Sequence, residues 1–358
     1  MKLIVISILI LFSVSSTRAA DAPSIEIVDT KNSAAIAWEG RSHETIDGLA
    51  IGSDVSIRLT NCSDIVISAC DLRSIELSGC KRVSICNCFI HDSAHCGIQT
   101  YQTQQLLVQG CRLERVSSGV YAIESQQIQV VGNFARNMKG PFPRGQMTQF
   151  DHVTGAGNVI RGNYAINEMG QNHSEDVINI YVSSGTADSP ILIENNYVTG
   201  DPERGSEGMS KSGSGIMLGD QGGAHDTCRG NVVVSAGQVG IGVAGGTSIA
   251  VENNVIYGAK SDVSNNGLYA WNQSGKPCAH ISIIGNRVRW MNQAGEDNSW
   301  WKGGGVQELR LSDNHFADAG LPAGLPEPPS RAPMPPQLWS SANAQGGVSV
   351  ARVPWKLE

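Results

Sequence analysis

Residues 158–165 read NVIRGNYA, residues 191–198 ILIENNYV, residues 249–256 IAVENNVI and residues 281–288 ISIIGNRV. Each octet alternates apolar and polar positions in its first half, as a strand with one buried face does, and then breaks into Gly or Asn, as a turn does. Six further octets align beneath them: IVISACDL from Ile65, VSICNCFI from Val83, LLVQGCRL from Leu106, IQVVGNFA from Ile128, DTCRGNVV from Asp226 and LRLSDNHF from Leu309. Their sixth position is occupied in turn by Cys70, Cys88, Cys111, Asn133, Asn163, Asn196, Asn231, Asn254, Asn286 and Asn314. A column of this kind is the mark of a solenoid. With coils stacked about 4.8 Å apart, an inward Asn can hydrogen-bond to the Asn above and below it, as stacked amides do.

A second strand recurs once per repeat and usually opens on glycine. The set is GIQTYQ from Gly97, GVYAIE from Gly119, GQMTQFD from Gly145, DVINIYV from Asp176, GIMLGD from Gly215, GIGVAG from Gly240 and GLYAWN from Gly267. The interval from Gly97 to Cys111 is repeated from Gly119 to Asn133 and from Gly240 to Asn254, so two independent columns keep one register. The expected fold is all-β, a right-handed parallel β-helix of about ten coils carrying an Asn/Cys ladder. In repeat architecture, from Val55 to Phe316, the chain resembles the pectate-lyase-like superfamily of right-handed β-helix proteins. It carries no motif that matches a pectate lyase or polygalacturonase signature closely enough to transfer a catalytic residue.

Composition agrees with short strands and tight turns. The 358 residues include 41 Gly, and only 6% are aromatic and 16% charged. The net charge of −7 gives no general basic surface, which argues against nucleic acid as a partner. Lys2, the apolar run Leu3 to Val14 and the small residues up to Ala19 read as a signal peptide over 1–19, so a secreted or periplasmic protein without membrane insertion is expected. Residues 20–54 read as an N-terminal cap, 55–318 as the helix and 319–358 as a Pro-rich tail that cannot support a ladder of backbone bonds, with Trp339 and Trp355 as candidate anchors. A monomer is expected. Seven of the nine cysteines fall between Cys62 and Cys111, at stacked inward positions where they pack as small hydrophobes. An oxidising compartment permits disulfides, but residues stacked in parallel strands have poor geometry for bridging.

The ladder interval widens from 22 residues between Cys111 and Asn133 to 30, 33 and 35 across Asn133, Asn163, Asn196 and Asn231. The extra residues, 137–144, 167–174 and 199–214, precede the second strand of three successive coils and should therefore wall one groove. Its strands and borders supply Asp176, Glu175, Asp151, His173, Tyr181 and Asp220 as candidate catalytic residues. Arg144, Gln146, Gln149, Asn179, Lys211, Tyr269 and Trp271 are candidate substrate contacts. Ile178 and Ile180 should point inward, which turns Asn179 and Tyr181 outward; Thr148 and Phe150 likewise leave Gln149 and Asp151 facing the groove. Asp151 and Asp220 lie near one strand end with Tyr181 between them, and Glu175 and Asp176 near the other. Taken singly, each aromatic reads as packing under a loop and each acid as a turn cap; together they read as a site for an extended polysaccharide.

Three functions follow. A glycoside hydrolase would use paired carboxylates as acid and as base or nucleophile. A polysaccharide lyase would need a base beside the uronate and a cation to neutralise it, from Lys or Arg, or from calcium held by Glu175 and Asp176. A noncatalytic glycan-binding or structural solenoid would leave the acids apart. No cofactor other than calcium is implied.

Overall fold

A computed structural model describes residues 27–30, 33–49, 55–168, 170–200 and 213–317; the expected signal peptide, the Pro-rich tail and Lys211 lie outside these. All regular structure among them is β-strand. One coil comprises Ile98–Tyr101, Gln104–Gln109 and Arg112–Glu114, and the next Val120–Ile123, Gln126–Val131 and Phe134–Arg136. Equivalent strands pair in parallel, so that Ile98, Val120, Thr148, Ile178, Ile216, Ile241 and Leu268 form one vertical row. The third strands stack into a separate sheet of ten. At the N-terminal end Ser33–Glu39 pairs antiparallel with Ile27–Thr30 and parallel with Val55–Thr60, so part of the expected cap is itself a rung.

The octets encode a corner followed by a ladder. The residue before each ladder position is left-handed, from Ala69 (φ 49°) through Gly162 (φ 62°) and Asn195 (φ 55°) to Asp313 (φ 55°). Glycine takes this conformation without a Cβ clash, and Asn or Asp tolerates it, which accounts for the recurring Gly-Asn and Asn-Asn pairs. The ladder amide then satisfies both neighbouring coils. Asn163 donates its backbone N–H and its Nδ2 to Asn196 Oδ1, each at 3.0 Å, and Nδ2 also to Val130 O at 2.8 Å. The same pattern runs from Asn133 to Asn314. In the early coils a thiol stands in for the amide: Cys111 Sγ donates to Ile85 O at 3.5 Å, three residues before the ladder position below. All nine cysteines are free. Cys86 departs from the inward placement expected of it, because it lies in an outward row with Ser68 and Gln109 and is partly exposed.

Inside the coils, stacked Ile, Val and Leu form one continuous core, with Ile57, Ile75, Ile98, Val120, Ile178 and Ile216 fully enclosed. Asn163→Ala strands two buried donors of Asn133 and should cost about 3–5 kcal/mol in denaturant unfolding. Cys88→Ala, which removes a weak donor and a small volume, should cost about 1–2 kcal/mol. Equal losses in the two variants would show that the amide ladder has no special role.

Candidate active site

Two outward rows cross the widened coils. One is Tyr121, Gln149, Asn179 and Met217; the other, further along each strand, is Ile123, Asp151, Tyr181 and Asp220. The inward partners Thr148, Phe150, Ile178 and Ile180 are fully buried, as the alternation requires. A bulge between Tyr181 and Asn179 on one side and Gly219 on the other brings Asp220 opposite Tyr181.

The place that other coils give to Gly97, Gly119 or Gly215 is taken by Val177, not by Asp176 as the sequence suggested, because Ile178 pairs with Thr148 and Ile216. Asp176 stands one residue earlier, at the corner. Its Oδ1 accepts from Ser214 N–H at 2.7 Å and its Oδ2 from Asn179 Nδ2 at 2.7 Å. The same Nδ2 donates to Asp220 Oδ2 at 3.1 Å. The two strand ends that the sequence kept apart are thus joined through one amide, and Asp176 and Asp220 are separated by no more than two hydrogen bonds. The Asn179 carbonyl oxygen is enclosed without a hydrogen-bond partner, so the two carboxylates dictate its orientation.

The electrostatics follow from burial and from like charges. Burial, and then the charges of Asp176 and Asp220, push the Glu175 carboxyl up to about 8, with Arg144 opposing. Burial also raises Asp176 to about 6 against the pull of the Ser214 and Asn179 donors, and raises Asp220. Tyr269, expected to stack on sugar from the surface, is instead buried, and burial lifts its hydroxyl far above the usual phenol range. Its ring lies across Gly242, where a Cβ would come within 2.6 Å of the ring carbon Cζ. From there its hydroxyl meets Met217 Sδ at 3.3 Å and accepts from Gln273 at 2.7 Å. Trp271 does stand exposed, edge-on to an equally exposed Trp301 with ring centres 5.5 Å apart.

Other candidates divide. Asp151 accepts from the Tyr121 hydroxyl at 2.6 Å and is paired with the exposed His152 at 2.6 Å. The Arg144 guanidinium lies 4.0 Å above the Tyr121 ring and donates to Gln149 at 3.1 Å. Gln146 is not a substrate contact: it is fully buried, accepting from Ser118 and donating to Pro143 O, and so anchors the inserted loop. His173 is exposed on the second inserted loop, and no hydrogen bond described for it joins its ring to the carboxylates. As for the calcium expected of Glu175 and Asp176, both Asp176 oxygens accept hydrogen bonds, and no group of three or more His, Cys, Asp or Glu among the described residues is arranged to hold a metal.

Sequence reading passed over Tyr121, His152, Met217, Gly242 and Trp301. Tyr121 was within reach, since GVYAIE places it in the row of Gln149 and Asn179. Trp301 was not, since the strand Trp300–Lys302 lacks the opening glycine.

A carboxyl that keeps its proton in the folded chain but loses it near 4.5 in the unfolded chain stabilises the fold at low pH. That contribution drains away between about pH 4.5 and 8. Glu175→Gln should therefore flatten the fall in stability from pH 5 to pH 8.5, by about 1–2 kcal/mol once solvent screening of a partly exposed group is allowed for. Denaturation of both proteins across that range checks this, and parallel curves would contradict it.

Comparison with known proteins bears on the architecture. A family model described as a right-handed β-helix region matches residues 34–186. No curated protein matches the sequence. Among solved structures, the catalytic domain of a GH87 α-1,3-glucanase in complex with tetrasaccharides aligns with 80% of this chain at 13% identity and a TM-score of 0.43. The alignment spans 59% of that domain's length. The Streptococcus pneumoniae surface protein and adhesin PfbA aligns over 79% of this chain and 89% of its own, at 11% identity and a TM-score of 0.47. The periplasmic alginate epimerase AlgG aligns over 73% and 77%, at 10% identity and a TM-score of 0.37. With parallel pairing and the amide ladder traced coil by coil, the architecture is that of a right-handed parallel β-helix.

Proposed function

We propose that this chain is an exported glycoside hydrolase acting on an extended, neutral polysaccharide laid along the outward rows of the widened coils. The observation that carries this reading is the gathering of three carboxyls, Asp176 and Asp220 sharing one amide and Glu175 beside them, pushed up to about 8 by burial and by their charges. Glycoside hydrolysis needs that division: one carboxylic acid gives a proton to the leaving oxygen, and a second, ionised, attacks carbon or activates water.

The roles follow from access. Asp176 is almost fully enclosed with both oxygens engaged, so it positions Asn179 and adds to the field that keeps Glu175 protonated. Asp220 is partly exposed and is held by Asn179 and by the Gln221 backbone N–H, and it is the carboxylate assigned here to the sugar or to water. Glu175 serves as the acid. Trp271 and Trp301, further along the same face, offer rings for stacking on sugars. Carboxylates concentrated here favour a neutral glycan over a uronate. Arg144, stacked on Tyr121, is the feature that speaks for β-elimination instead, since it could face a substrate carboxylate.

The test is turnover on a panel of neutral and acidic polysaccharides, reading both new reducing ends and the ultraviolet absorbance of unsaturated sugars. Reducing ends without that absorbance are expected, with activity falling as pH rises past about 8 and Glu175 loses its proton. Glu175→Gln and Asp220→Asn should each lower kcat by about 10²–10⁴. An unsaturated product would replace hydrolysis with elimination, and full activity in both variants would remove the assigned roles.

A further inference from the structure

Away from the carboxylates, a cavity of about 340 Å³ opens on the early coils, lined by Arg58, Glu76, Gln99, Tyr101 and Ile123 among others. That volume lies at the lower end of the roughly 300–1,000 Å³ typical of small-molecule sites. Its place in the register relates it to the carboxylates. Arg58, Glu76 and Gln99 form the outward row that continues into Tyr121, Gln149 and Asn179. Ser78, Tyr101 and Ile123 form the row that continues into Asp151, Tyr181 and Asp220. Arg144 lies over Tyr121, so the open path between the two places follows the second row.

We propose that this cavity is a distal glycan subsite, which holds the polysaccharide about three to four sugar units away from the carboxylates. Gln99 and Glu76 stand three and four rungs from Asn179, or roughly 14 and 19 Å. A sugar ring in an extended chain is about as long as one rung is high, so a chain following the row keeps its units in step with the coils. The lining suits a neutral glycan. Tyr101 exposes 38% of its surface as a stacking face, and the Gln99 amide is exposed beside it. No cation is left over: Arg58 Nε meets Glu76 Oε2 at 2.8 Å, and the nearby Glu124 accepts from the neutral Gln102 amide at 3.0 Å. Such pairs present donors and acceptors to hydroxyl groups without a net positive field that would select an anionic sugar.

This inference rests on the polysaccharide reading of the site, and its test separates the two. Oligosaccharides of two to eight units, prepared from a neutral α-glucan, a neutral β-glucan and a polyuronate, are titrated calorimetrically into the full chain, into a Gln99→Ala/Tyr101→Ala double variant and into Asp220→Asn. In the unaltered chain, affinity for a neutral series should rise about tenfold or more between four and seven units. The double variant should lose that rise while keeping its affinity for short oligosaccharides and its thermal stability, and Asp220→Asn should keep the rise. Length-dependent binding without turnover would leave the subsite standing and remove the hydrolase. A plateau already reached at four units, a double variant that keeps the rise, or no binding of any series would overturn the subsite, and turnover of short substrates would then still support the hydrolase.

Discussion

The amide ladder is the interaction on which the rest depends. A parallel stack of coils has no intrinsic reason to keep its register, because isolated strands with one apolar face can slip by two residues and still bury that face. An Asn at each corner removes that freedom. Its Oδ1 takes the backbone N–H and Nδ2 of the coil before, its Nδ2 reaches a carbonyl of that coil, and a slip would strand several buried polar groups at once. The ladder absorbs a length difference of thirteen residues between the coil closed by Asn133 and the one closed by Asn231, since inserted residues leave the corner untouched.

Registry is also what converts distant residues into a site. Asp176 and Asp220 are 44 positions apart in the chain, yet Asn179 holds a hydrogen bond to each. The first two insertions are tied to the coils beside this cluster. Gln146, buried and bonded to Ser118 and Pro143, ties the first inserted loop to the coil beneath, and the Gly145 backbone packs against Ser174 so closely that a Cβ there would lie 2.5 Å from its Cα. Burial at this place raises the carboxyls.

The sequence made the coils legible because the ladder and the corner that precedes it are local: one side-chain type and one backbone conformation suffice, and both recur. Alternation within strands was legible for the same reason, and it placed Asn179, Tyr181, Gln149 and Asp151 on the outer face. What escaped lay at strand ends, where alternation gives no orientation. Asp176 stands one position before the glycine slot, because Val177, an ordinary apolar residue, fills it. Tyr269 stands at an outward position, and its burial depends on Gly242, one coil away, giving it room to lie flat. Gln146 stands in an outward-looking stretch, and only the path of its loop shows that it turns under it.

One departure from the rule of the surface marks the site independently of any likeness to other proteins. Stacked outward rows put like residues about 4.8 Å apart, where two equal charges repel. Elsewhere the rows manage this by alternation. Arg161, Glu194, Arg229 and Glu252 follow one another, with Glu194 held by the arginines on both sides; Arg58 meets Glu76, and Arg82 meets Asp64. At the widened coils the pattern lapses: Glu175, Asp176 and Asp220 gather around a neutral amide, and no salt bridge is described for any of them. Folding alone would be better served by a cation at Asn179, as in the neighbouring rows. An amide there leaves the acids under-compensated, and burial with mutual repulsion then raises Glu175 furthest.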